Sequence, residues 1–392
     1  MKRGSTPLEL ENKKIDSSPG CCQVMDYQEA KMKKRSFIFF MVLAALAMPA
    51  IISCSSKDKL YIYNWTYYTP DSVIEKFEKE YNVRVVYDEF ASNEDMYAKL
   101  LSSARKGLFG WFTRIFGRQY DVVFPSKDYV PLMIRQGMLE NIDKTKMTNL
   151  GNIDPEVLEK ATYDPTMEYS VPYYYGAAGV LVNTARVPNY EESWSIFARE
   201  DLRGRMTMLD DLREVMGGAL VYLGYSVNTR DPKEVSEARD LINNSWKPNL
   251  VKFDAEAFGK GFANGEFWVV HGFPEVVYEE IADNPQMLED TVFFIPKEGG
   301  PSYIDNMVIL KDANNIDLAH KFIDFIHRPE IYAEFADEFG FPCTVNVPAR
   351  QFKKEEPMYS EEELQITELV EDLGAALDLY SDAWFNSIRS GQ

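Results

Sequence analysis

Five aromatic rings fall in the eight positions from Tyr61 to Tyr68 of LYIYNWTYYTP, and Trp65, Tyr67 and Tyr68 stand at its end. A ring face attracts an ammonium group by roughly 0.5–2 kcal/mol, more as water is excluded, so rings joined by a few carboxylates make a holder for an organic cation. Rings alone hold a sugar equally well. The carboxylates therefore decide between the two chemistries, and Asp128, Asp211, Glu214 and Asp305 are the candidates. Asp211-Leu212-Arg213-Glu214 opens a predicted helix with D-x-x-E spacing, for which capping of N-terminal amides is the simpler explanation. Asp128 is open to the same reading, since a negative charge at a helix start gains a few tenths to about 1 kcal/mol from the dipole with no ligand. Asp305, in YIDN ahead of the apolar strand Met307 to Leu310, has no such explanation and needs a partner.

Catalytic signatures are mostly absent. There is no G-x-S-x-G, no glycine-rich phosphate loop and no H-E-x-x-H, and His271, His320 and His327 have no metal-ligand spacing. Carboxylate pairs such as Asp210 with Asp211, or Asp305 with Glu275, leave glycoside hydrolysis open as chemistry.

The elements that must position these groups alternate in type. Leu60 to Asn64 reads as a strand, with Tyr61 and Tyr63 alternating with Ile62 toward a sheet face and Trp65 and Tyr68 beyond the strand end. Thr69-Pro70 then opens a helix, with Thr69 as cap and Val73, Ile74, Phe77 and Tyr81 at helical spacing. Val83 to Tyr87 is a second strand, Ser92 caps a helix running to Ala104, and Tyr120 to Phe124 is a third strand leading to Ser126 and a helix over Val130 to Gln136. This βαβ order implies a parallel sheet, whose ligands sit outside the carboxyl ends of the strands, where the Asn64 to Tyr68 corner and Ser126 fall. YSVPYYYGAAGVLVN, Tyr169 to Asn183, is apolar and too glycine-rich for a helix, and reads as a hinge strand into a second α/β set. That set comprises Met206 to Leu209, the helix Asp211 to Leu223, and strands at Phe267 to Val270 and Thr291 to Ile295. Tyr303 to Leu310 returns to the first, for the helix Asp317 to Ile326. GLFGWFTRIFGR, Gly107 to Arg118, fits no alternation and reads as a hairpin folded on the first lobe or as an exposed apolar patch.

The whole chain supports two α/β lobes: 392 residues with 45% hydrophobic content exceed one ordinary core. The balance of 42 Lys and Arg against 62 Asp and Glu, a net charge of −20, argues against nucleic acid and favours cationic ligands. Lys33, Lys34 and Arg35 followed by the apolar run Phe37 to Ile52 resemble an export signal too short for a membrane span, and Ile51-Ile52-Ser53-Cys54 resembles a bacterial lipobox. Met32 is the expected translation start, residues 1–53 are expected to be removed, and Cys54 would be lipidated, which holds a protein stably on a membrane surface. Of Cys21, Cys22, Cys54 and Cys343 only the last two would survive, so no disulfide framework and no cysteine metal cluster is expected. Residues 1–53 carry 8 basic and 5 acidic side chains, so removing a net +3 from −20 leaves about −23 on the exported part.

From Leu60 to about Gln392 the chain resembles the periplasmic spermidine/putrescine-binding proteins, the solute receptors of polyamine ABC importers. The blocks LYIYNWTYY, SNEDMYAKL, DVVFPS, DDLREV, LGYSVNTRDPKE, PKEGG with YIDN, and DLGAA carry the resemblance in order and spacing. It implies the two-lobed solute-binding fold with a hinge of crossing strands and a polyamine clamped in the cleft between lobes: residues 60–176 plus 305–348, and 177–304 plus 349–392, after a tether over 54–59. It further implies no enzymatic activity, no cofactor, a membrane permease as partner and a monomeric receptor. The carried-over ligand contacts are Trp65, Thr66, Tyr68 and Ser126 from the first lobe, with Asp211, Glu214, Phe273, Tyr303 and Asp305 from the second lobe and hinge. Four departures stand out: Asp128 replaces an aromatic residue, Phe341 a tyrosine and Val370 a polar amide, while GFPE at Gly272 to Glu275 replaces a tryptophan-centred motif and adds Glu275 as a possible carboxylate. Putrescine's nitrogens lie roughly 6 Å apart, so acids at opposite ends of a slot, Asp211 and Asp305, can each take one ammonium. A sugar receptor, a surface adhesin acting through Gly107 to Arg118 and a carboxylate-pair hydrolase are the competing readings.

Overall fold

The computed structural model describes residues 57–66, 68–90, 92–103 and 120–390, and the chain from Asp58 onward forms one compact unit. The leader, Cys54, Tyr67 and the Gly107 to Arg118 segment lie outside the described residues. β1 (Lys59–Trp65) is flanked by β2 (Arg84–Phe90) and β3 (Val122–Val123), both parallel to it, as the βαβ order requires. Trp65 is the last residue of β1, in register with Phe90, and so belongs to the strand rather than lying beyond it. The helix Asp71–Tyr81 between β1 and β2 buries Val73 and Phe77, with Ile74 and Tyr81 at the edge of the core.

Local capping follows the sequence in one helix and departs from it in another. Ser92 Oγ accepts the Asp95 N–H at 3.2 Å, closing the start of the helix Asn93–Ser103. Thr69 does not cap the helix Asp71–Tyr81, whose cap position is Pro70. Its hydroxyl is engaged elsewhere, with Asn64 Nδ2 and the Tyr173 hydroxyl, each at 3.0 Å, tying the end of β1 to the hinge.

β4 (Ser170–Ala177) and β10 (Pro301–Ile309) pair antiparallel, and β10 also joins β3 and the short β11 (Glu368–Leu369). The first sheet thus runs β11-β10-β3-β1-β2, with β4 on β10. The second contains β5 (Gly179–Asn183), β6 (Met206–Met208), β7 (Leu250–Phe253), β8 (Val269–Gly272) and β9 (Thr291–Phe294), in the order β7-β6-β8-β5-β9. The stretch read as one hinge strand is therefore two, β4 in one sheet and β5 in the other, with Ala178 between them. Gly179 permits the crossing, because a Cβ there would stand 2.5 Å from the Phe294 carbonyl oxygen.

Apolar burial welds the sheets together. One cluster runs from Leu60 and Phe77 through Tyr173 and Tyr174 to Phe258, Phe262 and Phe267, so it spans both sheets, and it includes Ala349, Tyr359 and Leu364. A second cluster, built on Trp194, Trp246, Tyr380 and Trp384, underlies the second sheet. At about 1.5–3 kcal/mol for each fully buried large side chain, such clusters outweigh any single polar contact in holding the site's frame.

Candidate functional site

The site is built around Asp305, on β10 where the strand crosses the first sheet. The β4–β10 register shifts between Asp305 and Asn306, and such an irregularity bends a strand and re-aims a side chain. Ser126, just past β3, forms an isolated antiparallel bridge with Asp305. Its hydroxyl donates to Asp305 Oδ1 at 2.5 Å, and the Tyr68 hydroxyl donates to Oδ2 at 2.6 Å. Asp305 is only 3% exposed. Burial pushes its carboxyl up to about 7, against the opposing effect of the Ser126 and Tyr68 hydrogen bonds, which favour the ionised form.

Tyrosine rings stand beside this carboxyl. Tyr68 packs edge-on against Tyr173 and Tyr174, with centroids 5.3 and 6.2 Å away, and Trp65 lies 4.6 Å from Phe90. Tyr303, two residues before Asp305, meets Phe273 of the second lobe edge to face at 5.8 Å. Phe341 is buried behind the site, stacked 4.2 Å from Tyr174, so it supports the wall rather than lining it. Thr66 is exposed at the rim, its hydroxyl 3.4 Å from the Phe90 carbonyl. Val370 is buried beside β11, its N–H bonded to the Ser302 carbonyl.

The second lobe presents its acids at adjacent parallel strand ends. β6 and β8 pair in parallel, and each is followed by a helix: Leu212–Tyr222 after β6 and Pro274–Ile281 after β8. Asp211 caps the first, accepting the N–H groups of Arg213 and Glu214 at 2.8 and 3.0 Å, as the spacing suggests. Glu214 does not close the capping box; its side chain is buried against His271, with Oε2 3.7 Å from the ring Nε2. Burial drives the Glu214 carboxyl well up and the His271 imidazole down to about 3, so the contact joins a neutral imidazole to a desolvated acid and is not an ion pair. Asp128 stands at the start of the helix Tyr129–Arg135 without capping it. Burial raises its carboxyl, Arg213 opposes that shift and Asp211 adds to it, which places these second-lobe charges across from Asp128.

Sequence reasoning missed several members of the wall. Tyr174 sits opposite Asp305 in the β4–β10 register, and its hydroxyl bonds the Tyr359 hydroxyl at 2.5 Å. The period of two along PYYYG could have singled out Tyr174; nothing around Tyr359 marks it. Among the described residues, no group of His, Cys, Asp or Glu is arranged to hold a metal ion, and no helix is long and apolar enough to cross a membrane.

Residues 72–360 match the model of the bacterial extracellular solute-binding protein family. The chain belongs to that family. This solute-binding protein is 34% identical over 366 residues to the spermidine/putrescine-binding periplasmic protein of Escherichia coli K12, covering 90% of this chain and 98% of the relative. It is 31% identical to a putrescine/cadaverine-binding protein of Pseudomonas aeruginosa, over 81% of this chain and 87% of that one. Among solved structures it is similar to the Tp0655 (TpPotD) lipoprotein of Treponema pallidum, with a TM-score of 0.78 and 49% identity, covering 85% of this chain and 99% of that one. The two-lobed fold expected from the sequence is that of this solute-binding protein family, and its relatives are transport binding proteins.

Proposed function

We propose that this solute-binding protein is the receptor of an ABC importer for linear polyamines, taking putrescine, spermidine or both. The observation that carries the reading is Asp305, a carboxyl 3% exposed, supported by Ser126 and Tyr68 and opposite Tyr174, to which no cationic side chain is paired among the described residues. A buried carboxylate requires compensation, and an alkylammonium supplies both charge and hydrogen-bond donors. A sugar supplies donors without charge. The names of the Escherichia coli and Pseudomonas aeruginosa relatives support the same class of ligand.

In this reading Asp305 and Ser126 hold one ammonium, while Asp211, Glu214 and Asp128 receive the other end. Trp65, Tyr68, Phe273 and Tyr303 enclose the methylenes, Thr66 borders the entrance and Phe341 backs the wall. The lobes, 60–176 plus 305–348 and 177–304 plus 349–392, close on the ligand and present it unaltered to the permease. Lipidation of Cys54 anchors the monomeric receptor outside the cytoplasmic membrane through the tether at 54–59. Thermal-shift titration with putrescine, spermidine and a panel of sugars tests the ligand class. A polyamine at 100 times its Kd should stabilise the protein by about 2.7 kcal/mol, and stabilisation by a sugar in place of both polyamines would sink the reading.

A further inference from the structure

Three carboxylate oxygens of the second lobe are buried with no hydrogen bond, and while Asp254 Oδ2 is ion-paired with Lys252 at 2.8 Å, Glu214 Oε2 and Glu275 Oε2, on residues 7% and 8% exposed, have no such cation among the described residues. Both residues lie in the first turn of helices that follow adjacent parallel strands, so they emerge on one edge of the sheet. Glu214 already has a stated role in the ligand reading, whereas Glu275, a possible carboxylate from the sequence, has none assigned there. The edge-to-face contact of Phe273 with Tyr303 brings the segments 273–275 and 303–305 together. Tyr303 and Asp305, two apart on a strand, share a face of β10.

We propose that Glu275 contacts the ligand directly, taking from the second lobe the same ammonium that Asp305 takes from the crossing strand. This rests on the polyamine reading above. The groups acting on or facing Glu275 are Asp305 and Tyr303 of β10, Tyr174 of β4 and Tyr359 of the C-terminal segment. Tyr174 and Tyr359 are bonded to each other, Asp305 is a second acid, and no ion pair reaches Glu275 among the described residues. The protein therefore brings a second carboxyl within electrostatic reach of Asp305 and, among the described residues, pairs no cation with it. An alkylammonium has three donor hydrogens in a tetrahedral fan, enough to bond both carboxyls at once. With one acid on each side, the cation becomes a bridge between β10 and the second lobe, rewarding closure in a way that Asp305 alone does not.

Burial, reinforced by the charge of Asp305, pushes the Glu275 carboxyl up to about 8. An ammonium docking there at pH 7 therefore displaces the Glu275 proton to the buffer. Calorimetric titration of putrescine and spermidine at pH 7, in two buffers of different ionisation enthalpy, counts that proton. The wild-type protein should release about one proton more per ligand than Glu275→Gln, and the substitution should weaken binding at least tenfold. Glu275→Asp covers the case in which the amide does not fold: it should keep proton release while losing affinity, and retention of both by the shorter acid would overturn the proposal. Equal affinity and equal proton release in Glu275→Gln would overturn it while leaving the polyamine reading intact. Absence of any binding by wild-type protein would overturn the polyamine reading itself.

Discussion

Asp305 is an acid whose charge state is set first by burial and then, in the opposite sense, by two hydroxyls. The Ser126 and Tyr68 hydrogen bonds favour its ionised form while burial opposes it, leaving the carboxyl near 7. Tyr68→Phe removes one of those donors, and hydrogen bonds to charged groups contribute about 1.5–3 kcal/mol. The variant should bind putrescine roughly tenfold or more weakly at pH 7, with the pH at which affinity levels off displaced upward; titrations from pH 6 to 9 read both effects. Asp305 was legible because a lone acid ahead of an apolar strand has no local use for its charge. Asp211 was legible as a cap and is one, yet the same spacing misdescribes Glu214. Burial against His271 captures that side chain, and such tertiary capture leaves no trace in a four-residue pattern.

The elements were legible where periodicity is local. β1, β2 and the Ser92 cap follow from alternation and capping chemistry, and the crossing stretch from its glycine-rich apolar run. What the sequence did not disclose was the division of that stretch between two sheets, or the diversion of the Thr69 hydroxyl to Tyr173, since both depend on partners over 100 residues away. Gly176 gives a test at this scale. A Cβ there would fall 2.5 Å from the Tyr174 ring and 2.9 and 3.1 Å from the hydroxyls of Tyr359 and Tyr303. Gly176→Ala must therefore displace three tyrosines of the wall. Overpacking of this kind costs about 1–3 kcal/mol, so the variant should melt measurably lower and bind polyamine more weakly; unchanged melting and affinity would show that the wall is not so tightly fitted.

For the molecule as a whole, stability and cargo are linked through protons. Folding raises the Asp305 carboxyl from 3.8 to about 7 and Glu275 from 4.5 to about 8, so the folded protein holds protons that the unfolded chain releases, and their contribution to stability declines as pH rises through that interval. Buried His271 and His327, lowered from 6.5 to about 3 and about 4, act in the opposite sense, but only below 6.5. Between pH 6.5 and 8 the carboxyls prevail: the unliganded protein should lose thermal stability across that range, and saturating polyamine should flatten the decline, as scanning calorimetry at several pH values would report. The central claim is that buried acid, rather than ring surface alone, holds the cargo. Isothermal titration of putrescine into wild-type protein and Asp305→Asn at pH 7.5 tests it most directly. The amide is nearly isosteric with the acid, and losing one partner of a buried charge pair costs about 3–5 kcal/mol, so affinity should fall at least a hundredfold. A correctly folded Asp305→Asn protein that binds putrescine as tightly as wild type would show that the charge of Asp305 is not what recognises the ligand.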